Sequence, residues 1–287
     1  MTVFVIMPVF NRVEMTKTML ACLEAQSITE KLVIIIVDDG SSDGTHEFLK
    51  QNPKVSVLQG DGSLWWGGSV QLGWQHVEKI AVDEDWILLI NNDLQIKSDF
   101  LDGLISAAKI AYPAVVGSVI RDCEAPFSIL SIGPLIDCWN LRVGDAVGEL
   151  SFDGDELPSI VKVDAVSGRG SLYPVSAMRK VSGMRSRWLP HYLADYELSI
   201  RANKIGYNLV VSSMSVVYSK EIWGNSYSMS SVFKRMTSIR SPYYLPAQIM
   251  FWWTASSTLQ KLTIPLRLIL FTVAPFLRKD RYENCNS

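Results

Sequence analysis

The stretch that decides the fold is Val33-Ile34-Ile35-Ile36-Val37-Asp38-Asp39-Gly40-Ser41-Ser42-Asp43-Gly44-Thr45. In it, five consecutive β-branched residues lead directly into two carboxylates and a glycine-containing turn. Such a run is typical of a strand that is buried on both faces, as in a parallel sheet covered by helices. In open sheets of this kind, ligands bind at the carboxyl ends of the strands. The stretch therefore predicts a buried parallel strand that ends in a ligand site.

Segments of strand and helix character alternate on both sides of this stretch. Further strand-like runs lie at 3–7, 55–58, 86–90, 114–120 and 207–211, and helical patterns lie at 12–26, 45–51, 69–81 and 100–111, with a later helix around 195–201. This alternation predicts an α/β fold with a mostly parallel mixed sheet flanked by helices. Between 121 and 162 the sequence is richer in Pro, Gly and acidic residues, which indicates loops or hairpins.

Composition and charge limit the classes of partner. The 287 residues carry 27 Lys and Arg against 29 Asp and Glu, a formal net charge of -2, which argues against a nucleic-acid partner. The four cysteines include no Cys-x-x-Cys pair, so neither a zinc site nor a disulfide framework is indicated. Pro8 ends the first apolar run before it is long enough for a signal peptide. We therefore expect a cytoplasmic protein with a small-molecule ligand.

The carboxyl-terminal part of the chain differs in character from the rest. We divide the sequence into a domain at 1–240, with a nucleotide-binding half at 1–120 and an acceptor half at 121–240, and an apolar helical extension at 241–287. Its apolar runs, 249–253 and 266–274, are shorter than the roughly 20 residues of a spanning helix. Tryptophans and interspersed basic residues suit an element that lies in a membrane interface. Two core helices packed on the domain or at a dimer contact are an equally good interpretation.

Polar side chains follow three of the expected strands. Strand one ends in Pro8-Val9-Phe10-Asn11, the strand 33–37 ends in Asp38-Asp39, and the strand 86–90 ends in Asn91-Asn92-Asp93. Acidic residues at such an edge bind ribose in dinucleotide folds, and we favour a ligand contact for Asp39 over a purely structural role. For Asp43 we expect the structural role, as a helix cap or Asx turn.

The third of these ends has the chemistry of a metal site. A hard divalent ion such as Mg²⁺ or Mn²⁺ takes carboxylate and carbonyl oxygens and shares its coordination sphere with diphosphate oxygens. One well-placed aspartate is sufficient for such a shared site. Asp93 and Asn91 are therefore candidate ligands, although an Asn-Asn-Asp sequence by itself is more often a turn.

The segment Gly60-Asp-Gly-Ser-Leu-Trp-Trp-Gly-Gly-Ser69 lies between an expected strand and an expected helix. Glycine-rich backbone at a helix N-terminus can approach a phosphate or ribose closely. The faces of Trp65 and Trp66 suit a sugar ring, and the competing interpretation is that one or both are hydrophobic plugs.

Together these motifs resemble the family 2 glycosyltransferases, which are nucleotide-sugar-dependent enzymes of the GT-A fold. The resemblance runs from Val3 to about Tyr218 and rests on the order of four motifs, Pro8-Val-Phe-Asn11, Val37-Asp-Asp-Gly-Ser-Ser-Asp-Gly44, Asn91-Asn92-Asp93 and Asp195-Tyr-Glu197. It implies that Asp39 contacts the nucleobase, that Asn91 to Asp93 occupy the place of the metal-binding Asp-x-Asp, and that Asp195 is the general base. The Trp-Trp-Gly-Gly string resembles a subset assigned to rhamnosyl or related deoxysugar transfer.

Two features depart from the family pattern. Asn91 stands where an acidic residue is usual, and the region 216–224 lacks the late histidine that completes the metal site in many relatives. Both departures leave Asp93 as the main expected ligand of a Mg²⁺ or Mn²⁺ cofactor.

The resemblance also assigns roles to the remaining residues. The residues expected to bind the donor are Pro8, Phe10, Asn11, Asp39, Trp66, Gly67, Gly68 and Asn92. Those expected towards the acceptor are Gly168, Arg169, His191 and Glu197, although a structural role is the better interpretation of His191 and an exposed surface position is an equally good interpretation of Arg169. Asp195 also fits on chemical grounds, because inverting glycosyl transfer needs one carboxylate to take the proton of the acceptor hydroxyl. Glu197 and Arg201 are helix neighbours at i and i+4, which makes a supporting ion pair the better interpretation of Glu197.

The sequence thus predicts an inverting, metal-assisted glycosyltransferase. It would move a sugar from a nucleoside-diphosphate donor, with UDP or dTDP favoured, to a hydroxyl of a glycan or lipid-linked acceptor at the inner face of the plasma membrane. One alternative is a non-catalytic GT-A-like scaffold that binds a partner or membrane through 243–277, but a scaffold has no need of three carboxylates at one edge. The other is a sugar nucleotidyltransferase, whose glycine-rich basic loop is missing after the first strand.

Overall fold

The computed structural model describes residues 1–124, 127–149, 157–220 and 232–268. The strands are β1 (Thr2–Val9), β2 (Lys31–Asp38), β3 (Val55–Gln59), β4 (Trp86–Leu89), β5 (Gln95–Ile96), β6 (Ala114–Asp122), β7 (Ile129–Ser131), β8 (Pro134–Asp137), β9 (Arg142–Asp145), β10 (Ile160–Lys162), β11 (Ser171–Pro174) and β12 (Asn208–Ser219). The helices are α1 (Val13–Glu24), α2 (Thr45–Lys50), α3 (Trp65–Val77), α4 (Phe100–Ile110), α5 (Ala146–Glu149), α6 (Val175–Val181), α7 (Ala194–Lys204), α8 (Val232–Thr237), α9 (Leu245–Ala255) and α10 (Thr258–Lys261).

The main sheet is mixed and has the strand order β10-β12-β6-β11-β4-β1-β2-β3. β1 pairs in parallel with β2 and with β4, and β2 pairs in parallel with β3. β11 is antiparallel to both of its neighbours, β4 and β6, whereas β6 and β12 are parallel. Short β5 and β7 extend this sheet, and β8 and β9 form a separate hairpin. The predicted α/β architecture is confirmed.

The central strands are buried on both faces, which explains their continuous apolar runs. In β2, Ile34 and Ile36 pack into the cluster on the side of α1 and α4, whereas Ile35 packs into the cluster on the side of α3 and α7. β1 alternates in the same way, and Val3 through Met7 are all at most 5% exposed. A strand in this position cannot place a polar side chain on either face at low cost, so the polar residues of β2 lie at or beyond the ends of its paired stretch.

Most predicted elements are confirmed, and the main difference is the start of α3. The sequence pattern placed that helix at 69–81, whereas it begins at Trp65 and ends at Val77. The region expected to contain loops or hairpins holds β7, the β8–β9 hairpin, the short helix α5 and β10. The late region 216–224 and the apolar run 266–274 extend beyond the described residues.

The start of the predicted carboxyl-terminal extension packs on the domain. In α9, Ala247, Phe251 and Trp252 are buried, and the helix lies against α7. Trp253 on the opposite face is half-exposed. Within the described residues, none of the helices combines the length and the apolar character needed to cross a membrane. The boundary at 240/241 stays a prediction.

Candidate active site

The carboxyl ends of β1, β2 and β4 open into one cavity of about 560 Å³. The start of α3, the segment 167–169, residues 191–195 and Arg240 complete its wall. The predicted site residues that line it are Pro8, Phe10, Asp39, Trp66, Asn91, Asn92, Asp93, Gly168, Arg169, His191 and Asp195. The sheet therefore brings distant parts of the sequence to one edge, as expected for parallel strands.

Asp39 is buried, and its carboxylate organises the segment that follows β3. Oδ1 accepts hydrogen bonds from the backbone N–H groups of Gly62 (2.9 Å) and Leu64 (3.3 Å), and Oδ2 accepts one from the N–H of Trp65 (2.9 Å). Asp39 thus satisfies N–H groups at the start of α3 from a neighbouring strand. Trp65 is held at a φ of 57°, a left-handed conformation that is unusual for a bulky residue. Asp39 therefore fixes the loop as well as lining the cavity.

Asn11 joins two loops rather than lining the cavity. Its side-chain oxygen accepts a hydrogen bond from the N–H of Ser42 (2.9 Å) in the loop after β2. In the same loop, Asp43 accepts from the N–H groups of Val13 (3.0 Å) and Thr45 (3.1 Å), at the starts of α1 and α2. The structural role predicted for Asp43 is confirmed. The donor contact predicted for Asn11 is not supported by this placement.

Gly67 and Gly68 are buried and serve close packing rather than a contact with ligand. A Cβ atom on Gly67 would lie 2.4 Å from the carbonyl oxygen of Leu189, and one on Gly68 would lie 3.1 Å from the Cβ of Leu64. The N–H of Gly67 donates a hydrogen bond to the carbonyl of Pro190 (2.7 Å). Gly67 brings α3 against the segment that carries His191, whereas Gly68 packs on Leu64 at the start of the helix, so their effect on the site is indirect.

Two of the polar side chains after β4 form hydrogen bonds within the protein. The indole N–H of Trp66 donates to the side-chain oxygen of Asn91 (2.8 Å), and the amide of Asn92 donates to the hydroxyl of Thr16 (2.9 Å). Gly168 lies directly against the Trp66 ring, because a Cβ there would be 2.3 Å from its Cζ2 atom. Asn91 would have to share its oxygen to serve as the predicted metal ligand.

Asp93 faces the cavity and forms an ion pair with Arg12. The Nη1 atom of Arg12 lies 2.7 Å from Oδ2 of Asp93, and the side chain of Asp93 is 28% exposed. The described residues contain no group of three His, Cys, Asp or Glu side chains that would hold a metal ion without help. Mg²⁺ is commonly held by one or two carboxylates together with substrate phosphates. Asp93 therefore fits a divalent ion only in a site that the donor's diphosphate completes.

Asp195 lies in the first turn of α7 and faces the same cavity. Its Oδ2 accepts a hydrogen bond from the N–H of Gly168 (2.7 Å), which fixes the carboxylate beside the Trp66 ring. Burial raises the pKa of Asp195, and the Gly168 and Tyr196 N–H groups and the positive charge of Arg169 oppose this shift. A raised pKa makes the carboxylate a stronger base while it is ionised.

Glu197 lies outside the cavity, in a buried network behind α7. Its Oε1 accepts hydrogen bonds from Arg185 (3.0 Å), Arg201 (2.9 Å) and the hydroxyl of Thr254 (3.0 Å) in α9. Arg201 also donates to the carbonyl of Gly183 (2.7 Å). The supporting ion pair predicted for Glu197 and Arg201 is present, and a contact of Glu197 with the acceptor is not supported.

An aromatic group forms the wall of the cavity next to Asp195. The His191 ring lies 5.8 Å from that of Trp65 and 4.5 Å from that of Tyr192, between ring centroids. Burial lowers the pKa of His191, which keeps the ring neutral at neutral pH. Its Nδ1 has no hydrogen-bond partner among the described residues. His191 therefore carries a buried, unsatisfied polar atom in the wall of the cavity.

Two arginines of the site were not predicted. Arg12 directly follows the Pro8–Asn11 motif, and its basic charge beside a strand end is a signal that could have identified it. Arg240 lies with its Cζ atom 5.5 Å from the centre of the Trp65 ring. No local pattern marks Arg240, because it reaches the site only through the fold of the chain after β12.

Comparison with known proteins agrees with this geometry. Residues 4–134 match the profile of glycosyl transferase family 2. Over this segment, just under half of its length, the chain is similar to the family 2 glycosyltransferases. This confirms the family resemblance and the class of enzyme predicted from the sequence. The match includes Asp39 and Asp93 but ends before Asp195.

Among curated proteins, the chain is similar to the N-acetylglucosaminyl-diphospho-decaprenol L-rhamnosyltransferase of Mycobacterium tuberculosis, in strains CDC 1551 / Oshkosh and ATCC 25618 / H37Rv. The two sequences are 27% identical over 218 residues, which cover 67% of this chain and 68% of the relative.

Solved structures with a similar fold include S. aureus TarS 1-349 and GalNAc-T7 with UDP, GalNAc and Mn²⁺. The first has a TM-score of 0.54 and 16% identity over 76% of this chain and 60% of TarS 1-349. The second has a TM-score of 0.59 and 12% identity over 94% of this chain and 55% of GalNAc-T7. This chain thus spans little more than half of each solved chain. At these identities the likeness shows the fold alone, and it confirms the predicted GT-A architecture.

The position of Asp39 generates a testable prediction. In Asp39→Asn an amide NH₂ group replaces one acceptor oxygen and faces a backbone N–H, so we expect the free energy of unfolding to fall by about 1–3 kcal/mol. Chemical denaturation measures this change. Asp61→Asn, an exposed change in the same loop, is the matched control and should leave stability nearly unchanged. Equal stability of Asp39→Asn and wild type would contradict the capping role.

Proposed function

We propose that this protein transfers a sugar, with inversion, from a nucleoside-diphosphate donor to a hydroxyl group of a glycan or lipid-linked acceptor. The observation that carries the proposal is the position of Asp195. Its carboxylate is held by Gly168 at the same cavity into which Asp39 and Asp93 face. The cavity therefore unites a candidate base with the strand-end residues that the family uses for its donor.

The donor is proposed to bind along the edge formed by β1, β2 and β4. Pro8 and Phe10 would flank the base, and Asp39 would accept from it or from the ribose. Arg12 and Arg240 lie on the same cavity and offer positive charge to a diphosphate, for which a guanidinium is well shaped. UDP and dTDP are favoured, in line with the UDP found with TarS and with GalNAc-T7.

Asp195 is proposed to take the proton of the attacking hydroxyl. Single displacement with inversion needs a base on the face of the sugar opposite the departing diphosphate. Asp195 comes from α7, whereas Asp93 and Arg12 come from the β4 and β1 ends of the cavity. The donor sugar is proposed to lie between these two groups. His191 is proposed to contact the acceptor as part of the cavity wall.

A divalent ion is proposed to join the donor at Asp93. Mg²⁺ or Mn²⁺ bound there would neutralise charge on the departing diphosphate. Before the donor binds, Arg12 holds the Asp93 carboxylate in place by its ion pair. With one carboxylate from the protein, most of the remaining ligands would be diphosphate oxygens and water.

The acceptor is proposed to be a sugar attached through a diphosphate to a lipid. The proposal follows from the M. tuberculosis relative, an N-acetylglucosaminyl-diphospho-decaprenol L-rhamnosyltransferase, and L-rhamnose is the matching proposal for the transferred sugar. The Trp65, His191 and Tyr192 rings provide the kind of apolar wall on which a sugar ring packs. A non-catalytic scaffold would bind nucleotide without turnover, so activity itself separates these hypotheses.

Replacement of the base tests the proposal directly. Asp195→Asn keeps the size of the side chain and removes its basicity, so we expect turnover to fall by about 10²- to 10⁴-fold. Nucleotide affinity should stay close to that of the wild type, as measured by calorimetry. Asp102→Asn, at an exposed position of α4, is the matched control. Undiminished turnover by Asp195→Asn at saturating substrates would show that another group is the base.

The pH dependence of the rate provides a second prediction. Burial raises the pKa of Asp195 from its ordinary value of 3.8, and only the ionised form can accept a proton. The rate constant kcat/KM should therefore fall as the pH decreases through a midpoint above that value, while nucleotide binding is monitored separately. A rate that stays constant down to a pH of about 4 would contradict a buried carboxylate base.

The third prediction concerns the metal. We expect Mn²⁺ to increase the affinity for the nucleoside diphosphate in the wild type, and Asp93→Asn to reduce this increase by at least about tenfold. Calorimetric titrations with and without Mn²⁺ measure both quantities. The exposed change Asp102→Asn again serves as the control. An increase that is unaffected by Asp93→Asn would place the ion elsewhere.

A further inference from the structure

The last described part of the chain, residues 232–268, is basic and apolar at the same time. It contains no Asp or Glu, and its basic residues are Lys234, Arg235, Arg240, Lys261 and Arg267. Five positive charges over this length give a strongly one-sided local field, although the whole chain has a formal net charge of -2.

The apolar side chains of this part are divided between an inner and an outer face. Phe251, Trp252 and Ile264 are buried against the domain. The outer face carries five apolar side chains that are about half or more exposed, with exposed fractions of 47% for Ile249, 50% for Trp253, 66% for Leu259, 78% for Leu262 and 63% for Leu266. Ile249 and Trp253 are i and i+4 neighbours on α9, and the three leucines follow one another at intervals of three and four residues. An exposed series of this kind marks an interaction surface.

Cation–π contacts connect the parts of this surface. Lys261 lies 5.2 Å from the centre of the Trp253 ring, which joins α10 to the outer face of α9. Arg267 lies 5.3 Å from the centre of the Trp139 ring, whose side chain is 55% exposed, and donates to the carbonyl of Trp139 (2.9 Å). The turn between β8 and β9 is thereby brought to the same surface.

We propose that Trp139, Ile249, Trp253, Leu259, Leu262 and Leu266 form a membrane-docking surface that enters the headgroup region of an anionic lipid bilayer. Tryptophan is enriched at this depth of a membrane, and basic side chains beside it reach the lipid phosphates. Apolar area and attraction to anionic lipid act together in such peripheral binding. The inference goes beyond the proposed transfer and rests on it only for the lipid-linked acceptor.

Charge decides between a membrane and a second copy of the chain. In a twofold contact the same patch meets itself, so Lys261 and Arg267 would face the basic residues of the other copy. Juxtaposed like charges disfavour such a pairing, and no acidic residue between 232 and 268 offsets them. An anionic lipid surface supplies the complementary charge.

The docking surface is also linked to the site. Thr254 of α9 donates a hydrogen bond to Glu197 (3.0 Å), two residues after Asp195 in α7. Arg240, in the same basic part of the chain, lines the cavity. A bilayer at this surface would therefore hold a lipid-linked acceptor close to the protein that modifies it.

Vesicle flotation of the full chain tests the inference, with vesicles of phosphatidylcholine alone or mixed with an equal amount of phosphatidylglycerol. We expect binding to the mixed vesicles and a loss of at least about tenfold in the triple variant Leu259→Ser, Leu262→Ser, Leu266→Ser. Lys261→Ala should weaken binding about fivefold. Binding should also decrease in about 1 M salt, where the Debye length is about 3 Å.

The matched control removes as many exposed apolar side chains from other faces. Ile80→Ser, Ile110→Ser, Met214→Ser changes residues that are 56%, 74% and 69% exposed, and vesicle binding should be retained. Circular dichroism and thermal unfolding verify that both triple variants fold. Equal binding by the two triple variants, or equal binding to both kinds of vesicle, would overturn the proposal.

Light scattering after size-exclusion chromatography tests whether the surface binds a second copy of the chain instead of a membrane. A dimeric wild type and a monomeric leucine variant would show that the surface joins two copies, and would also overturn the proposal. Vesicle binding requires neither donor nor acceptor. Its failure is therefore distinct from a failure of the proposed transfer, which is measured with a water-soluble acceptor.

Discussion

The physical constraint on which this structure depends is the burial of β1, β2 and β4 on both faces. Helices cover the sheet on each side, so a polar side chain within these strands would lose its hydration without a partner. The polar residues come instead where the strands end, and parallel pairing brings those ends to one edge. The site is therefore a consequence of how the core is built.

A buried hydrogen-bonded network around Glu197 holds α7 in place behind the cavity. Glu197 is fully buried and receives hydrogen bonds from Arg185, Arg201 and Thr254. Removal of one partner from a buried charged network leaves an uncompensated charge, so the network specifies a single position of the helix. The first turn of the same helix carries Asp195. One face of α7 thus provides the candidate base, and another fixes its orientation to α9.

Much of this fold was predictable, because β-branched runs and turn residues are local features of the sequence. The start of α3 was not, because the carboxylate that satisfies its N–H groups belongs to Asp39, 26 residues before Trp65 in the chain. The packing role of Gly67 was not predicted, for a related reason. A glycine required for close approach to a ligand has the same sequence pattern as one required for close approach to backbone. The contact of Gly67 with the carbonyl of Leu189 becomes visible only in the folded structure.

The cavity brings together three carboxylates that the sequence singled out, two of them after strands and one in the first turn of α7. Asp39, Asp93 and Asp195 all line the cavity, whereas Asn11 and Glu197 form contacts within the protein. Two contacts in the site join residues that are far apart in sequence, namely the ion pair of Arg12 with Asp93 and the cation–π contact of Arg240 with Trp65. Their pairing depends on the completed tertiary structure, which periodicity and motif spacing do not encode.

The central claim is that this cavity is a nucleotide-sugar site, and the most direct test is a thermal-shift titration with nucleoside diphosphates. UDP, dTDP, GDP and CDP would each be titrated with and without Mn²⁺ or Mg²⁺. A ligand that binds the folded state raises the unfolding temperature by mass action. The account predicts a saturable increase with UDP or dTDP that is larger in the presence of the metal. No increase with any of the four nucleotides would contradict it.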